Sequence, residues 1–293
     1  MAIDFSKPID RFEFDEINAD QFRKNYLLPN KPVVIRGLLK NEVAYSKWTM
    51  DFFRKEMGDL QVGIFDDIPE KVDRSYKAPD MHMRFADYLD LIEKEPTNKR
   101  IFLFNIFKHN PSLREDFKFP SINKNWIKKL PFTFFGGKNS IVRIHQDMDM
   151  SNVFLTQFHG EKRVVLFSPK MSDLLYRFPF GVHSQVDVDH PDYEKFPALN
   201  YVKGESTVLE MGDTLFIPSG WWHHIEYLEG GFAMSLRSLS PKWSTRMLGL
   251  WKVGIATHID DFLRKLFGKK WFNCKNKTAF KRANAAIANT QNS

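Results

Sequence analysis

The chain has 293 residues, 43% of them hydrophobic, 27% charged and 15% aromatic, enough for one large core and ordinary for a globular protein. Its single cysteine excludes an intramolecular disulfide and a cysteine-built zinc site, and no run nears the roughly 18 apolar residues of a membrane span. The net charge of +7 is lopsided: 11 of the 43 Lys and Arg, but only two of the 36 Asp and Glu, lie from Pro241 onward, a balance of +9 there against −2 in residues 1–240.

The first ten residues carry Asp4, Lys7 and Asp10 and no apolar stretch, so no signal peptide is expected. Together with the lone Cys274 this points to a reducing, cytoplasmic compartment. Asn18 or Asp20 can cap a short helix through Tyr26. Lys31 to Gly37 reads as a strand with Pro near its start and Gly at its end. Thr49 is a suitable N-cap for a helix from Met50 to Met57, stopped at Gly58. Leu60 to Phe65 reads as a strand. Phe85, Tyr88, Leu89 and Ile92 share one helical face, and Ile101 to Phe107 reads as a buried strand.

From Pro131 the texture is that of short strands separated by turns: Ser140 to Gln146, Val153 to Phe158, Arg163 to Phe167, Ser206 to Glu210, Thr214 to Ile217, His223 to Leu228 and Phe232 to Leu239. So many short strands predict a sandwich or barrel. Residues 170–202 are too long for a turn and are expected to wrap its rim. After Pro241 the pattern is helical. Ile259, Phe262, Leu263, Leu266 and Phe267 repeat at helical spacing up to Gly268, and Thr278 is positioned to cap a last helix. The chain therefore divides into a β-rich body over residues 1–240 and a basic helical appendage over residues 241–293.

The chemistry concentrates at His145-Gln146-Asp147. Residues two apart on a strand point to the same side, so His145 and Asp147 can reach one ion together. Imidazole plus carboxylate suits Fe(II) or another borderline divalent metal better than calcium. A third ligand is available at His223 or His224, which follow the Pro218-Ser219-Gly220 turn and the Trp221-Trp222 pair. Adjacent residues face opposite ways, so only one of the two enters the cavity, and alternation alone does not say which.

Around this pair stands an ordered series of motifs: Lys31-Pro32-Val33-Val34-Ile35-Arg36-Gly37, Lys47-Trp48, Gly160-Glu161-Lys162-Arg163 followed by an apolar run and Pro169, the Ser184 to Pro197 stretch, Gly212-Asp213-Thr214-Leu215-Phe216-Ile217-Pro218, and Trp221-Trp222-His223-His224-Ile225-Glu226. From about Phe14 to Pro241 the series resembles the JmjC, cupin-like family of Fe(II)- and 2-oxoglutarate-dependent oxygenases. Within it the motifs are most similar to the asparaginyl hydroxylase that inhibits hypoxia-inducible factor.

The resemblance implies a double-stranded β-helix, or jelly roll, with helices outside it and a further set of C-terminal helices. It makes residues 1–240 the catalytic domain and places the iron, and so the catalytic centre, on His145, Asp147 and His223. It implies that Lys162 holds the far carboxylate of 2-oxoglutarate, with O2 as the oxidant. Departures from the pattern are Val142 for a Thr, Phe102 for a Tyr and Arg237 for an Asn. Arg237 shares a strand face with Ser235 and either adds a second cation for 2-oxoglutarate or pairs with an acid. Asn152 either lines the cavity or simply starts a strand. The resemblance further implies hydroxylation of a protein side chain, a modified nucleoside or a small metabolite, and a homodimer formed through the C-terminal helices. The rival reading is a metal-retaining, non-catalytic cupin-like binding protein whose basic tail contacts RNA, an acidic protein or an anionic membrane surface.

Overall fold

The computed structural model describes residues 3–66 and 78–291. Its strands, in chain order, are β1 (Asp4–Pro8), β2 (Asp10–Glu13), β3 (Val33–Arg36), β4 (Gln61–Ile64), β5 (Met81–Arg84), β6 (Arg100–Phe104), β7 (Phe132–Gly136), β8 (Ile141–His145), β9 (Asn152–His159), β10 (Lys162–Phe167), β11 (Lys203–Leu209), β12 (Asp213–Ile217), β13 (Trp222–Tyr227) and β14 (Gly231–Ser238). They form a five-stranded sheet, β1-β11-β10-β13-β8, a seven-stranded sheet, β2-β3-β12-β9-β14-β7-β6, and the separate pair β4-β5. This is the jelly roll with flanking and C-terminal helices that the motifs imply.

Side-chain alternation sorts each strand between two environments. Val164 and Leu166 of β10 meet Leu215 and Ile217 of β12, and Val153 and Leu155 of β9, in an apolar layer between the sheets. The intervening Val165 and Phe167 point outward, into a second cluster built from Leu175, Tyr176, Phe196 and Leu199 of the rim segment. On the far side of the seven-stranded sheet, Phe154, Phe158, Phe216, Phe232 and Leu236 pack against the N-terminal helices. With both faces covered, β12 and β14 are buried at every position, including the polar Asp213, Thr214, Ser235, Arg237 and Ser238.

The helices follow local signals. The Asn18 side chain accepts hydrogen bonds from the Asp20 and Gln21 backbone amides, and the Gln21 side-chain oxygen accepts one from the Asn18 backbone N–H, closing a capping box on α1 (Ala19–Phe22). After α2 (Val43–Lys47), Thr49 caps α3 (Met50–Met57) through the Phe52 amide. Next comes α4 (Phe85–Lys94), which turns Phe85, Tyr88, Leu89 and Ile92 inward as their spacing predicts. The expected strand over 101–107 is split. It ends at Phe104, and Ile106–His109 forms the short helix α5, after a register break in which Leu103 adopts φ 53°.

The C-terminal segment comprises α6 (Trp243–Trp251), a π-turn (Lys252–Ala256), α7 (Thr257–Phe267) and α8 (Lys269–Gln291). Thr278 does not cap α8 but sits inside it, where its hydroxyl donates to the Cys274 carbonyl and leaves the helix unbroken. Ala279 and Ala283 of α8 are fully buried in the outer cluster of the five-stranded sheet, so this helix is pinned to the rim of the body. Among the described residues no helix is long and apolar enough to cross a membrane.

Candidate metal centre

A cavity of about 410 Å³ opens between the sheets at the ends of β8 and β13. The register of β13 against β8 sets His223 directly opposite His145. The ring centres of the two imidazoles are 4.1 Å apart. One ligand atom from each of His145, Asp147 and His223 lies within 4.8 Å of the others. Among the described residues this is the group of His, Cys, Asp and Glu side chains with metal-binding spacing. Two imidazoles and one carboxylate on one side of a cavity are the donor set of an open facial triad.

Each imidazole is held in a ligand-ready tautomer. His145 Nδ1 lies 2.9 Å from the Arg143 carbonyl and His223 Nδ1 lies 3.3 Å from the Trp221 carbonyl. In each case an N–H at Nδ1 donates to that oxygen and leaves Nε2 with a free lone pair. Burial, reinforced by His223 nearby, pushes the pKa of His145 well below the ordinary histidine range; burial likewise lowers His223. Both rings are thus neutral at neutral pH. Burial alone would raise the Asp147 carboxyl, but the Arg237 guanidinium, with His223 and His145, holds it below the usual carboxylate range.

Arg237 takes the ion-pair role. Its guanidinium donates to Asp147 at 3.0 Å and to Asp149 at 3.0 Å, with a further bond to the Ser151 hydroxyl at 2.9 Å. It lines the cavity, but its charge is matched by these two acids, so it stands as a partner of the candidate ligand Asp147 and not as a spare cation. Lys162 is different. It faces the cavity from β10, is 1% exposed, and its ammonium lies 4.1 Å from the centre of the Tyr227 ring, its cross-strand neighbour. No carboxylate pairs with it among the described residues, and burial pulls its pKa down to about 7. The Ser235 hydroxyl, also facing the cavity, is buried without a hydrogen-bond partner. A buried ammonium and an unsatisfied hydroxyl in the same cavity as three candidate metal donors fit an anion that would also reach the metal.

Asn152 belongs elsewhere. Its side-chain oxygen accepts from the Ser219 amide and hydroxyl, and its NH2 donates to the Ser238 hydroxyl and the Leu239 carbonyl. It is fully buried, is not among the residues lining the cavity, and fixes the turn that precedes β13. His224 also turns away, toward Asp189 at 2.9 Å. Phe102 and Val142 do line the cavity, at the positions where the motif resemblance breaks.

Some contributors are absent from the sequence reading. Arg143 and Asp149 each stand two residues from a metal-site residue on the same stretch, a spacing that could have flagged them. Tyr227 lies four residues beyond His223 on the same strand face. His183 reaches the cavity from the rim segment by pairing with His145, and no local pattern marks it.

Comparison with known proteins gives the family. The cupin-like domain model matches residues 19–238. The chain is 28% identical over 230 residues to lysine-specific demethylase 8 of Xenopus tropicalis, covering 74% of this chain and 50% of that protein. It is 30% identical over 245 residues to tRNA wybutosine-synthesizing protein 5 of Gallus gallus, covering 76% and 74%. It is 27% identical over 242 residues to lysine-specific demethylase JMJ30 of Arabidopsis thaliana, covering 78% and 53%. It therefore spans about half the length of these demethylase relatives.

Proposed function

The chain belongs to the cupin-like, JmjC-type family, and from that premise we propose that it is an Fe(II)- and 2-oxoglutarate-dependent oxygenase that hydroxylates its substrate. The observation that carries this reading is the ammonium of Lys162, unpaired among the described residues, in the same cavity as His145, Asp147 and His223. Two neutral imidazoles and an ionised carboxylate would hold the metal. Lys162, with the Ser235 hydroxyl, would hold the far carboxylate of 2-oxoglutarate. When bound, iron, 2-oxoglutarate and O2 supply the oxidising power for a C–H bond. The chain contributes placement and dryness: Arg237 orients Asp147, the Arg143 and Trp221 carbonyls orient the imidazoles, and Phe102, Phe134 and Ile225 exclude water. Residues 1–240 would be the catalytic domain and 241–293 the appendage, acting in a reducing, cytoplasmic compartment.

The substrate we favour is a protein side chain, supported by the demethylase names of two relatives and by the motif resemblance to an asparaginyl hydroxylase. The excess of cations after Pro241 and the tRNA-modifying name of another relative support RNA as a second reading. The appendage exposes Trp243, Leu250, Phe262 and Leu266, which supports a homodimer through these helices. Light scattering on wild type and on Leu250→Glu and Phe262→Glu tests that contact.

The central test is an anaerobic Fe(II) titration followed by succinate measurement with 2-oxoglutarate and O2 alone. Wild type should bind one Fe(II) and form succinate slowly, and Asp147→Ala should do neither. Metal binding without any succinate would favour a non-catalytic binding protein.

A further inference from the structure

Gln146, between two of the candidate ligands, is 4% exposed and makes three separate connections. Its backbone N–H donates to the Val182 carbonyl of the rim segment at 2.9 Å. Its side-chain NH2 donates to the Gly220 carbonyl at 2.6 Å, in the turn that leads through Trp221 and Trp222 to His223. Its side-chain oxygen accepts from the Lys252 ammonium at 3.4 Å. One side chain therefore spans both ligand-bearing segments and reaches the C-terminal helices.

The helices meet it with features that packing alone does not require. Lys252 opens the π-turn, an irregularity often found where a helix serves a site. Its ammonium touches Gln146 and, at 3.4 Å, the Met150 sulfur, and it has no carboxylate partner among the described residues. Burial, with Arg177 nearby, pulls its pKa down to about 8. A wall with no further task is better served by an apolar side chain at such a place. One turn earlier, Gly249 lets α6 press on the loop after Asp147: a Cβ there would sit 2.2 Å from the Asp149 carbonyl oxygen. Val253, which follows Lys252, lines the cavity itself.

We propose that Gln146 and Lys252 form a positioning latch that fastens the C-terminal helices to both ligand-bearing segments, so that the geometry of the metal centre depends on those helices. The latch rests on the reading of His145, Asp147 and His223 as metal ligands. It makes the appendage part of the site wall, and it gives Lys252 a role through Gln146 without contact to the metal.

Co(II), whose visible bands report ligand geometry, is the probe. Wild type, Asp147→Ala, Lys252→Met, Lys252→Arg and Gln146→Leu are titrated with Co(II), and thermal unfolding of each metal-free protein is recorded. Wild type should give a saturable spectrum that Asp147→Ala lacks. Lys252→Met should unfold within a few degrees of wild type, yet shift the bands and weaken Co(II) binding by about tenfold, the lower end for losing an outer partner of a metal site. Gln146→Leu should do the same or more, and Lys252→Arg should restore the wild-type spectrum. Wild-type bands and affinity in Lys252→Met and Gln146→Leu would overturn the latch and leave the metal centre standing. A spectrum unchanged by Asp147→Ala would overturn the metal centre and the latch with it.

Discussion

Strands β10 and β13 present the same chemistry to two different places. Lys162 and His223 face the cavity, while their neighbours Arg163 and His224 face outward under the rim segment. On the outer face Arg163 and His224 are both met by acids, although the buried Nδ1 of His224 has no hydrogen-bond partner among the described residues. Arg163 donates to Glu226 at 2.8 Å and pairs with Asp189, and His224 completes the group through Asp189. On the inner face, among the described residues, Lys162 has no acid and the Ser235 hydroxyl has no partner, and the Nε2 atoms of His145 and His223 are unprotonated. Sequence neighbours thus separate into a largely closed network that stabilises the fold and an open one whose missing partners fit a ligand.

The sharpest break of this contrast is the histidine pair. His223→Ala should weaken Fe(II) binding beyond the roughly 100-fold typical of losing an outer hydrogen-bond partner to a ligand. His224→Ala should retain stoichiometric Fe(II) binding and instead lower stability by about 1–3 kcal/mol, because it leaves Asp189 short of a buried partner. Anaerobic titration and urea unfolding of both variants decide the matter. Equal loss of metal in the two would dissolve the distinction between the faces.

The lysine–arginine pair should follow with a smaller effect. Lys162→Met removes a buried cation without a counter-ion, so the ligand-free protein should be as stable as wild type or more so. Its KM for 2-oxoglutarate should rise by about 30- to 100-fold, the worth of a charge-assisted hydrogen bond at about 2–3 kcal/mol. Arg163→Met should do the reverse, losing about 1–3 kcal/mol of stability with an unchanged KM. Succinate assays against 2-oxoglutarate concentration, paired with unfolding curves, measure both halves.

How far these faces can be read from the chain depends on phase. Alternation has a period of two but no absolute origin, so His223 and His224 are equivalent until something outside the strand breaks the tie. Here Trp222 does so by burying itself among the outer-cluster side chains, which turns His223 inward and His224 outward. Val165 and Phe167 do the same for Lys162. Arg237 is undecided from sequence because its partner Asp149 lies 88 positions away. For Asn152 the sequence leaves a cavity role and a plain strand start open; it does start β9, and Ser219 and Ser238 claim its side chain through tertiary contacts. The edge strands β1 and β2 carry too few apolar residues to announce themselves, and their parallel pairing with β11 and β3 creates them. Two of the three candidate metal donors, His145 and Asp147, are legible because His-x-Asp needs only local spacing. The cations around them are not, because a cation's role depends on where the acids end up.

The two faces should also differ at opposite ends of the pH scale. Lys162 titrates at about 7 in the fold against an ordinary 10.5, so between these values the unfolded chain holds the extra proton. Stability of the ligand-free protein should therefore rise with pH across that window. Lys162→Met should flatten this rise, read as the difference in urea midpoint between the proteins from pH 7 to 10. A saturating 2-oxoglutarate analogue should flatten it too, because a bound carboxylate restores the lysine's charge in the fold.

The acid limb belongs to the outer face and should carry the smallest effect. Burial would raise the Asp189 carboxyl, but His224 and Arg163 hold it down to about 2 against an ordinary 3.8. Its contribution is full above pH 3.8 and is lost as pH falls through about 2. Many carboxylates titrate in that range, so only the difference between wild type and Asp189→Asn isolates it: the two unfolding midpoints should converge as the pH drops from 4 to 2. Above pH 5 the variant should be the less stable, by a constant amount, and its Fe(II) titration should match wild type. Convergence at acid pH with intact metal binding would mark Asp189 as part of the closed network. A loss of Fe(II) in Asp189→Asn would mean instead that the outer face reaches the metal through His224 and its neighbour His223, and that the two sides of β13 are one network.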